Sequence, residues 1–233
     1  MDIHKPKPWH GVREFLKEYV IIVVGVLTAL AAEQTAEAFH HHEIVSRGEA
    51  ALQDNFARFV AFKVATEREA PCVAARAAEI RAILDAAGKT GRLGRVGPIP
   101  QPQPLPWQVD TWDAAVASGV APYLPQEKVV LYSRIAMSGV DLYAAATHEW
   151  EEWHALESLS GPPRAFSSAE EAQVRDTLAR AVGHAEIASF IAKNTVGRIE
   201  STHLLAGKAL EAAIERGSHL PQTMCHPIMV GEN

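Results

Sequence analysis

The sequence predicts an all-α fold, in which an N-terminal transmembrane helix continues into a helical bundle interrupted by a proline-rich extended linker. Three observations predict this class of protein. A run of uncharged, mostly apolar residues lies near the start, and the rest is rich in alanine with apolar residues at helical spacing. No window shows the sustained alternation of apolar and polar residues that is typical of strands.

The apolar run extends from Tyr19 to Ala32. As a helix it spans only about 21 Å, against roughly 30 Å for the hydrocarbon core of a bilayer. Residues on either side extend the helix to 15–36, or about 33 Å, because long charged side chains near its ends can reach the headgroups. We therefore predict a cytoplasmic N-terminus at 1–14 and a transmembrane anchor at 15–36.

Two other interpretations of this segment stay open. A cleaved signal peptide also has a basic start and a short apolar centre, and Ala29 and Ala31 are suitable residues for a peptidase site. The segment could instead be a buried helix of a soluble protein, although the run "YVIIVVGV" leaves no polar face for water.

The distribution of basic residues predicts the orientation of the anchor. Lys5, Lys7, Arg13 and Lys17 precede the segment, whereas the first basic residue after it is Arg47. Because basic residues favour the cytoplasmic side, we expect the N-terminus in the cytoplasm and the remaining chain across the membrane. In a Gram-negative bacterium this arrangement means the inner membrane, with a periplasmic domain.

Small residues on the anchor predict helix packing within the membrane. Gly25 with Ala29, and Thr28 with Ala32, are spaced four apart and would let a second helix approach closely. The alternative is that small residues are simply common in such segments. The predicted partners are the lipid bilayer and either other membrane protein subunits or a second copy of the chain.

The segment 37–88 predicts a helical rod and a second helix. No break occurs before Pro71, after which a new helix should begin and run to Gly88. The following Gly/Pro-rich linker, 89–108, has proline at every second position near its end, which excludes a helix and favours an extended spacer or strap.

The segment 109–217 predicts a second helical region. It should contain a short helix ended by Gly119 and a long helix from Pro125 to about Ser158.

After these comes the last helix, in which Ser168 should be the N-cap of a capping box with a glutamate three residues later. We expect a kink near Asn194 or Gly197, an end at Gly217, and an irregular tail at 218–233.

Two blocks of the chain, covering about 80 residues, resemble a family of bacterial single-pass, membrane-anchored helical proteins of uncharacterised role. The shared features are a short anchor with a G-x-L-x-A-L-like core and a tryptophan-to-Ser-Gly segment before a tyrosine-bearing helix. The resemblance implies an anchored helical exterior domain and transfers no catalytic residues. The matching residues are Glu18, Gly25, Leu27, Ala29, Leu30, Trp112, Ser118, Gly119 and Tyr132.

Three Glu-x-x-His pairs raise the possibility of a metal centre. Two of them lie away from the anchor: Glu151 with His154, and Glu200 with His203. At this spacing on a helix both side chains point the same way, as in the di-iron sites of helical bundles. Chance alone gives about one such pair in a chain of this composition, so the alternative of ordinary core or surface histidines stays open.

Cys72 and Cys225 are the only cysteines. Outside the cytoplasm they could form a disulfide that closes a long loop, a prediction that the sequence cannot test for distance. No C-x-x-C pair is present, so thioredoxin-like chemistry and covalent haem attachment are unsupported.

Charge and motifs exclude several functional classes. The net charge of −6, with no basic patch, gives no footprint for nucleic acid. No phosphate-binding, dinucleotide-binding or hydrolase motif occurs, and no cofactor is predicted. We therefore predict a non-enzymatic interaction or scaffold protein, or an accessory subunit of a bacterial envelope complex. The alternative is a helical bundle that binds a metal or a small ligand, as a sensor or oxidoreductase.

Overall fold

The computed structural model describes residues 11–103 and 110–231, which are predominantly helical and confirm the all-α class. The chain divides into two compact units at Arg47. The helices are α1 (Val12–Thr90), α2 (Thr111–Ala117), α3 (Gln126–Ala155), α4 (Ser168–Ser201) and α5 (Gly207–His219). The short strands are β1 (Arg92–Leu93), β2 (Arg95–Val96), β3 (Arg164–Ala165) and β4 (Val230–Gly231).

The described part of the first unit consists of the N-terminal portion of α1, whose large apolar side chains are exposed. Ile21 is 70% exposed and Ile22 is 64% exposed. The hydroxyl of Thr28 donates to the carbonyl oxygen of Val24 at 2.8 Å, so this polar group is satisfied within the helix. By length and composition this is a helix that can cross a membrane, and its apolar window is unburied. Signal sequences share these properties.

Within the second unit, α1 continues through Pro71, so the predicted helix boundary at this residue is wrong. A proline inside a helix removes one hydrogen bond and costs about 3 kcal/mol. The apolar face is buried on both sides of it: Phe59 and Val60 lie before the proline, and Ile80 and Leu84 lie after it. Burying such side chains contributes about 1.5–3 kcal/mol each, which outweighs the lost hydrogen bond.

Helices α3 and α4 form an antiparallel hairpin that supplies much of the second unit's core. The guanidinium of Arg180 contacts the carboxylate of Glu152 at 2.7 Å. The ring of His148 lies 5.3 Å from that of His184. His148 is four residues before Glu152 on α3, and His184 is four residues after Arg180 on α4, so the two helices run in opposite directions. Trp153 at the end of α3 is fully buried. The predicted bounds of this helix agree with the structure to within a few residues, since a short 3-10 segment follows α3.

Helix α4 ends earlier than predicted. The helix runs without interruption past Asn194 and Gly197, where a kink stays a prediction, and the chain leaves it after Ser201 before α5 begins. His203 adopts a positive φ of 54°, and the amide of Leu204 donates to the carbonyl oxygen of Ile199. This is the Schellman arrangement, with histidine at the position where glycine is usual.

The start of α4 also differs from the prediction, by one residue. The N-cap is Ser167, whose hydroxyl accepts a hydrogen bond from the amide of Glu170 at 3.2 Å. The predicted cap, Ser168, is the first residue of the helix. Because the two serines are adjacent, the sequence pattern fits either register.

The linker and the tail both contribute buried residues to the core of the second unit. Strand β1 pairs with β3, and β2 pairs with β4, in each case antiparallel. Ile99 in the linker, and Met224 and Ile228 in the tail, are buried. The tail is therefore part of the core and contains a 3-10 turn at Thr223–Cys225. The last prolines of the linker, at 104 and 106, lie outside the described residues.

Candidate functional site

A cavity of about 710 Å³ lies inside the second unit. It is partly open to solvent and is lined by residues of α1, α3, α4 and α5, together with residues of the linker and the tail. Its volume is in the range of pockets that enclose a drug-sized molecule. Alanines at the facing positions of the helices leave this space, where larger side chains would fill it. These alanines are Ala61, Ala65, Ala70, Ala74, Ala146 and Ala185.

Glu149 lines this cavity from α3. It follows Leu142 and Ala145 on the core-facing side of the helix, so helical geometry directs its side chain inward. The residue is only 9% exposed. Burial, and then the negative charge of Glu69, raises the pKa of Glu149 to about 8. The carboxyl group is therefore mostly protonated at neutral pH.

Glu69 lines the same cavity from α1. Its carboxylate accepts a hydrogen bond from the backbone amide of Met224 at 2.8 Å, and the hydroxyl oxygen of Thr223 lies 3.4 Å from the same carboxylate. Burial raises the pKa of Glu69, although the Met224 amide, the Thr223 hydroxyl and the charge of Arg68 act in the opposite direction. Glu149, by contrast, has neither a hydrogen bond nor an ion pair within the described ranges 11–103 and 110–231.

Charged and apolar side chains surround the rim of the cavity. Arg58 and Arg216 both contact the carboxylate of Asp54, at 2.8 Å and 3.8 Å. Lys193 is exposed. Phe190 also lines the cavity but is 69% exposed. The lining therefore combines apolar side chains with three acids, Glu69, Glu149 and Glu186, and three cations, Arg58, Lys193 and Arg216.

A disulfide between Cys72 and Cys225 joins α1 to the tail beside the cavity. The hydroxyl of Thr223 donates to the carbonyl oxygen of Gln101 at 2.6 Å, which connects the tail to the linker. The disulfide therefore holds in place the turn Thr223–Cys225, which contacts Glu69. Leu220 and Pro221, just before this turn, line the cavity.

The predicted metal ligands do not converge. Glu151 and His154 lie near the end of α3, opposite the middle of α4, where Glu152 contacts Arg180. Glu200 is twenty residues further along α4, or about 30 Å away. His154 stacks on the ring of Trp150 at 5.3 Å. Within the described segments, no group of three or more potential ligands is close enough to hold a metal ion.

The anchor residues predicted to pack within a membrane are all exposed. Gly25 has no atom of another element within 4 Å of the place where a Cβ would lie. Thr28, Ala29 and Ala32 lie on the same exposed stretch of α1. Packing of this stretch against a second helix stays a prediction.

Comparisons with known proteins give no assignment. No family model, curated protein or solved structure matches this chain. The resemblance to bacterial single-pass membrane proteins therefore stays a prediction.

Sequence reasoning missed Glu149, although the sequence contains a signal for it. Leu142, Ala145, Glu149 and Trp153 recur at spacings of three and four, so the acid occupies a position of the apolar face. The surrounding "HEWEEWH" contains two further acids, of which Glu151 is exposed and Glu152 pairs with Arg180. An acidic residue in register with core residues is the feature that distinguishes it.

Proposed function

We propose that this chain is a membrane-anchored helical protein that binds a small, mostly apolar ligand in the cavity of its second unit. The single observation that carries the proposal is the largely buried carboxyl group of Glu149, which faces a cavity of about 710 Å³ and has no hydrogen-bond or ion-pair partner among the described residues. A ligand that hydrogen-bonds to this carboxyl group would gain a contact that no described protein group supplies. Apolar walls with few polar groups are typical of small-molecule sites.

The anchor supports a location at a membrane. The exposed apolar side chains of the first unit, including Phe15, Tyr19 and Leu27, would be costly to hydrate and suit lipid tails. The basic residues before the segment favour a cytoplasmic N-terminus and a periplasmic domain in a bacterial inner membrane. The test is protease added outside spheroplasts: it should remove a tag at the C-terminus and spare a tag at the N-terminus.

Binding is tested with Nile red, a neutral apolar dye, on the full chain in lipid nanodiscs. We expect saturable fluorescence beyond the background of the lipid. Ala146→Trp and Ala185→Trp fill the cavity from two different helices and should each abolish the saturable part. Ala144→Trp, at an exposed position of the same α3, is the matched control and should bind like wild type. Equal signals from wild type and both folded filled variants would overturn the proposal.

A second candidate is the interaction or accessory-subunit role predicted from the sequence. The observation that favours it is the exposure of large apolar side chains on α3 and α4: Met137 is 68% exposed and Ile187 is 50% exposed. Exposed apolar patches are typical of protein interfaces. Purification in mild detergent should yield a complex that Met137→Glu with Ile187→Glu dissociates, while a strictly monomeric wild type would contradict this role.

A further inference from the structure

Glu69 and Glu149 line the cavity from α1 and α3, and neither forms an ion pair among the residues that the structure describes. The guanidinium of Arg68 donates to the backbone carbonyl oxygen of Gly217 at 3.1 Å. Within the part of the chain that the structure describes, no lysine or arginine forms an ion pair with Glu149. The negative charge of Glu69 disfavours ionisation of Glu149. The cations that line the cavity, Arg58, Lys193 and Arg216, form no ion pair with either acid among the described residues, and both arginines contact Asp54 instead.

From this arrangement, and resting on the proposed binding function, we propose that the cavity binds an organic ammonium ion with a compact apolar body, its charge lying beside the carboxyl groups of Glu149 and Glu69. The alanine-rich walls would contact the apolar body of the ligand. An ammonium group supplies donors for the carboxyl oxygens and offsets their mutual repulsion.

The other charge types fit the cavity less well. A carboxylate in the interior would be repelled by Glu69 and would force Glu149 to stay neutral. An anionic headgroup at Lys193 on the rim would leave the apolar body of the ligand against Glu149, whose carboxyl group would then stay unpartnered. A neutral alcohol could accept a hydrogen bond from protonated Glu149 but would not reduce the repulsion between the two acids.

Binding of an ammonium ion has a defined proton balance. The carboxyl group of Glu149, protonated at neutral pH, releases its proton to the solvent, and the ammonium ion keeps its own proton. The carboxylate of Glu149 and the ligand cation then form an ion pair. Because one proton leaves for each ligand bound, affinity should rise by about tenfold per pH unit below the pKa of Glu149 and level off above about pH 8.

The test uses three probes that share one rigid apolar body: adamantylamine, adamantanol and adamantane carboxylate. Each is titrated calorimetrically into the full chain in nanodiscs of zwitterionic lipid. At pH 7 we expect the amine to bind at least about tenfold more tightly than the alcohol, and the carboxylate not to bind measurably. Comparison of phosphate and Tris buffers, which differ in ionisation heat, should show the release of close to one proton for each amine bound.

Two variants separate the buried acid from general electrostatic attraction. Glu149→Gln keeps the shape of the side chain and should weaken amine binding by at least about tenfold and abolish proton release. Glu211→Gln removes an exposed acid of α5 that does not line the cavity and should change affinity by less than about twofold.

The outcomes distinguish the ligand class from the binding function. If the alcohol binds as tightly as the amine, or if Glu149→Gln binds the amine like wild type, the ammonium proposal is overturned. Saturable Nile red binding that depends on an open cavity would in that case leave the binding function standing. If Nile red and all three adamantane probes fail to bind the folded chain, both proposals are overturned.

Discussion

The carboxyl groups of Glu69 and Glu149, on α1 and α3, line the same cavity, and the charge of one raises the pKa of the other. Two largely buried carboxyl groups that face one cavity, with no ion pair to either among the described residues, destabilise the fold when both ionise. The arrangement therefore makes stability depend on pH, apart from any ligand.

The first prediction concerns this pH dependence. The folded pKa of Glu149 is about 8, against an ordinary value of 4.5, so the folded state holds a proton that the unfolded state has lost. The free energy of unfolding should therefore fall as pH rises from 4.5 to 8 and change little above it. The loss is on the order of 5 kcal/mol, since each pKa unit corresponds to about 1.4 kcal/mol. Urea unfolding of the full chain between pH 5 and pH 9 measures it.

Glu149→Gln is the variant that isolates this effect. It cannot ionise, so the fall in stability with pH should shrink to the smaller part due to Glu69. Glu211→Gln, at an exposed position of α5, is the control and should keep the wild-type slope. A Glu149→Gln variant with the full wild-type slope would contradict the assignment.

The second prediction concerns the packing of α5 on α1. A Cβ at Gly217 would meet the carbonyl oxygen of Ala61 and lie 2.8 Å from the Cβ of Val64. Gly217→Ala should therefore destabilise the chain by about 1–3 kcal/mol, since backbone must move to make room. Thermal unfolding of the full chain measures the change.

Gly183→Ala in α4 is the matched control. No atom lies within 4 Å of the place where its Cβ would stand. Since alanine favours the helix more than glycine, this variant should be as stable as wild type or up to about 1 kcal/mol more stable. Equal destabilisation by both alanines would show that the close approach at Gly217 is not the cause.

The third prediction concerns the disulfide. Cys72 and Cys225 are separated by 153 residues in sequence. In the chain-entropy account, loss of the bond costs about 4–5 kcal/mol. Cys225→Ser should lower the unfolding temperature and weaken Nile red binding, because the turn that binds Glu69 is released. The double variant Cys72→Ser/Cys225→Ser should unfold at the same temperature as the single variant, because both lack the same bond. A much lower unfolding temperature of the double variant would contradict the disulfide as the cause.

The fourth prediction concerns the anchor. Lysine at the centre of a membrane-spanning helix costs roughly 2.5–3.5 kcal/mol. Ile21→Lys combined with Val24→Lys should therefore release a large fraction of the chain into alkaline carbonate extracts of membranes. Phe190→Lys replaces an equally exposed apolar residue of the second unit and should stay with the membrane pellet. Retention of the double variant would argue against a membrane-spanning helix.

The spacing of apolar residues predicted where helices lie, and proline and glycine near their ends predicted where some of them begin or end. Helix α3 begins directly after Pro125 because proline suits a helix start, and α2 is followed by Gly119 at a positive φ of 80°. The helix through Pro71 and the turn at His203 were not predictable in this way. In the first case burial on both sides outweighs a local penalty, and in the second histidine occupies a glycine position.

The cavity could not be predicted from the sequence because it depends on which helical faces meet. Ala65 and Ala146 favour a helix as any alanine does, and only the packing of α1 and α3 shows that both line a cavity. The approach of Glu69 to the tail is equally non-local, since its partner Met224 lies 155 residues away in sequence.

The bond between Cys72 and Cys225 turns most of the second unit into a covalent ring. A protease that cuts the chain once inside this ring yields two fragments that remain one molecule on a non-reducing gel, and the four helices around the cavity can stay together. Damage at a surface loop in a protease-rich compartment would then leave the assembled domain intact until a reductant separates the pieces.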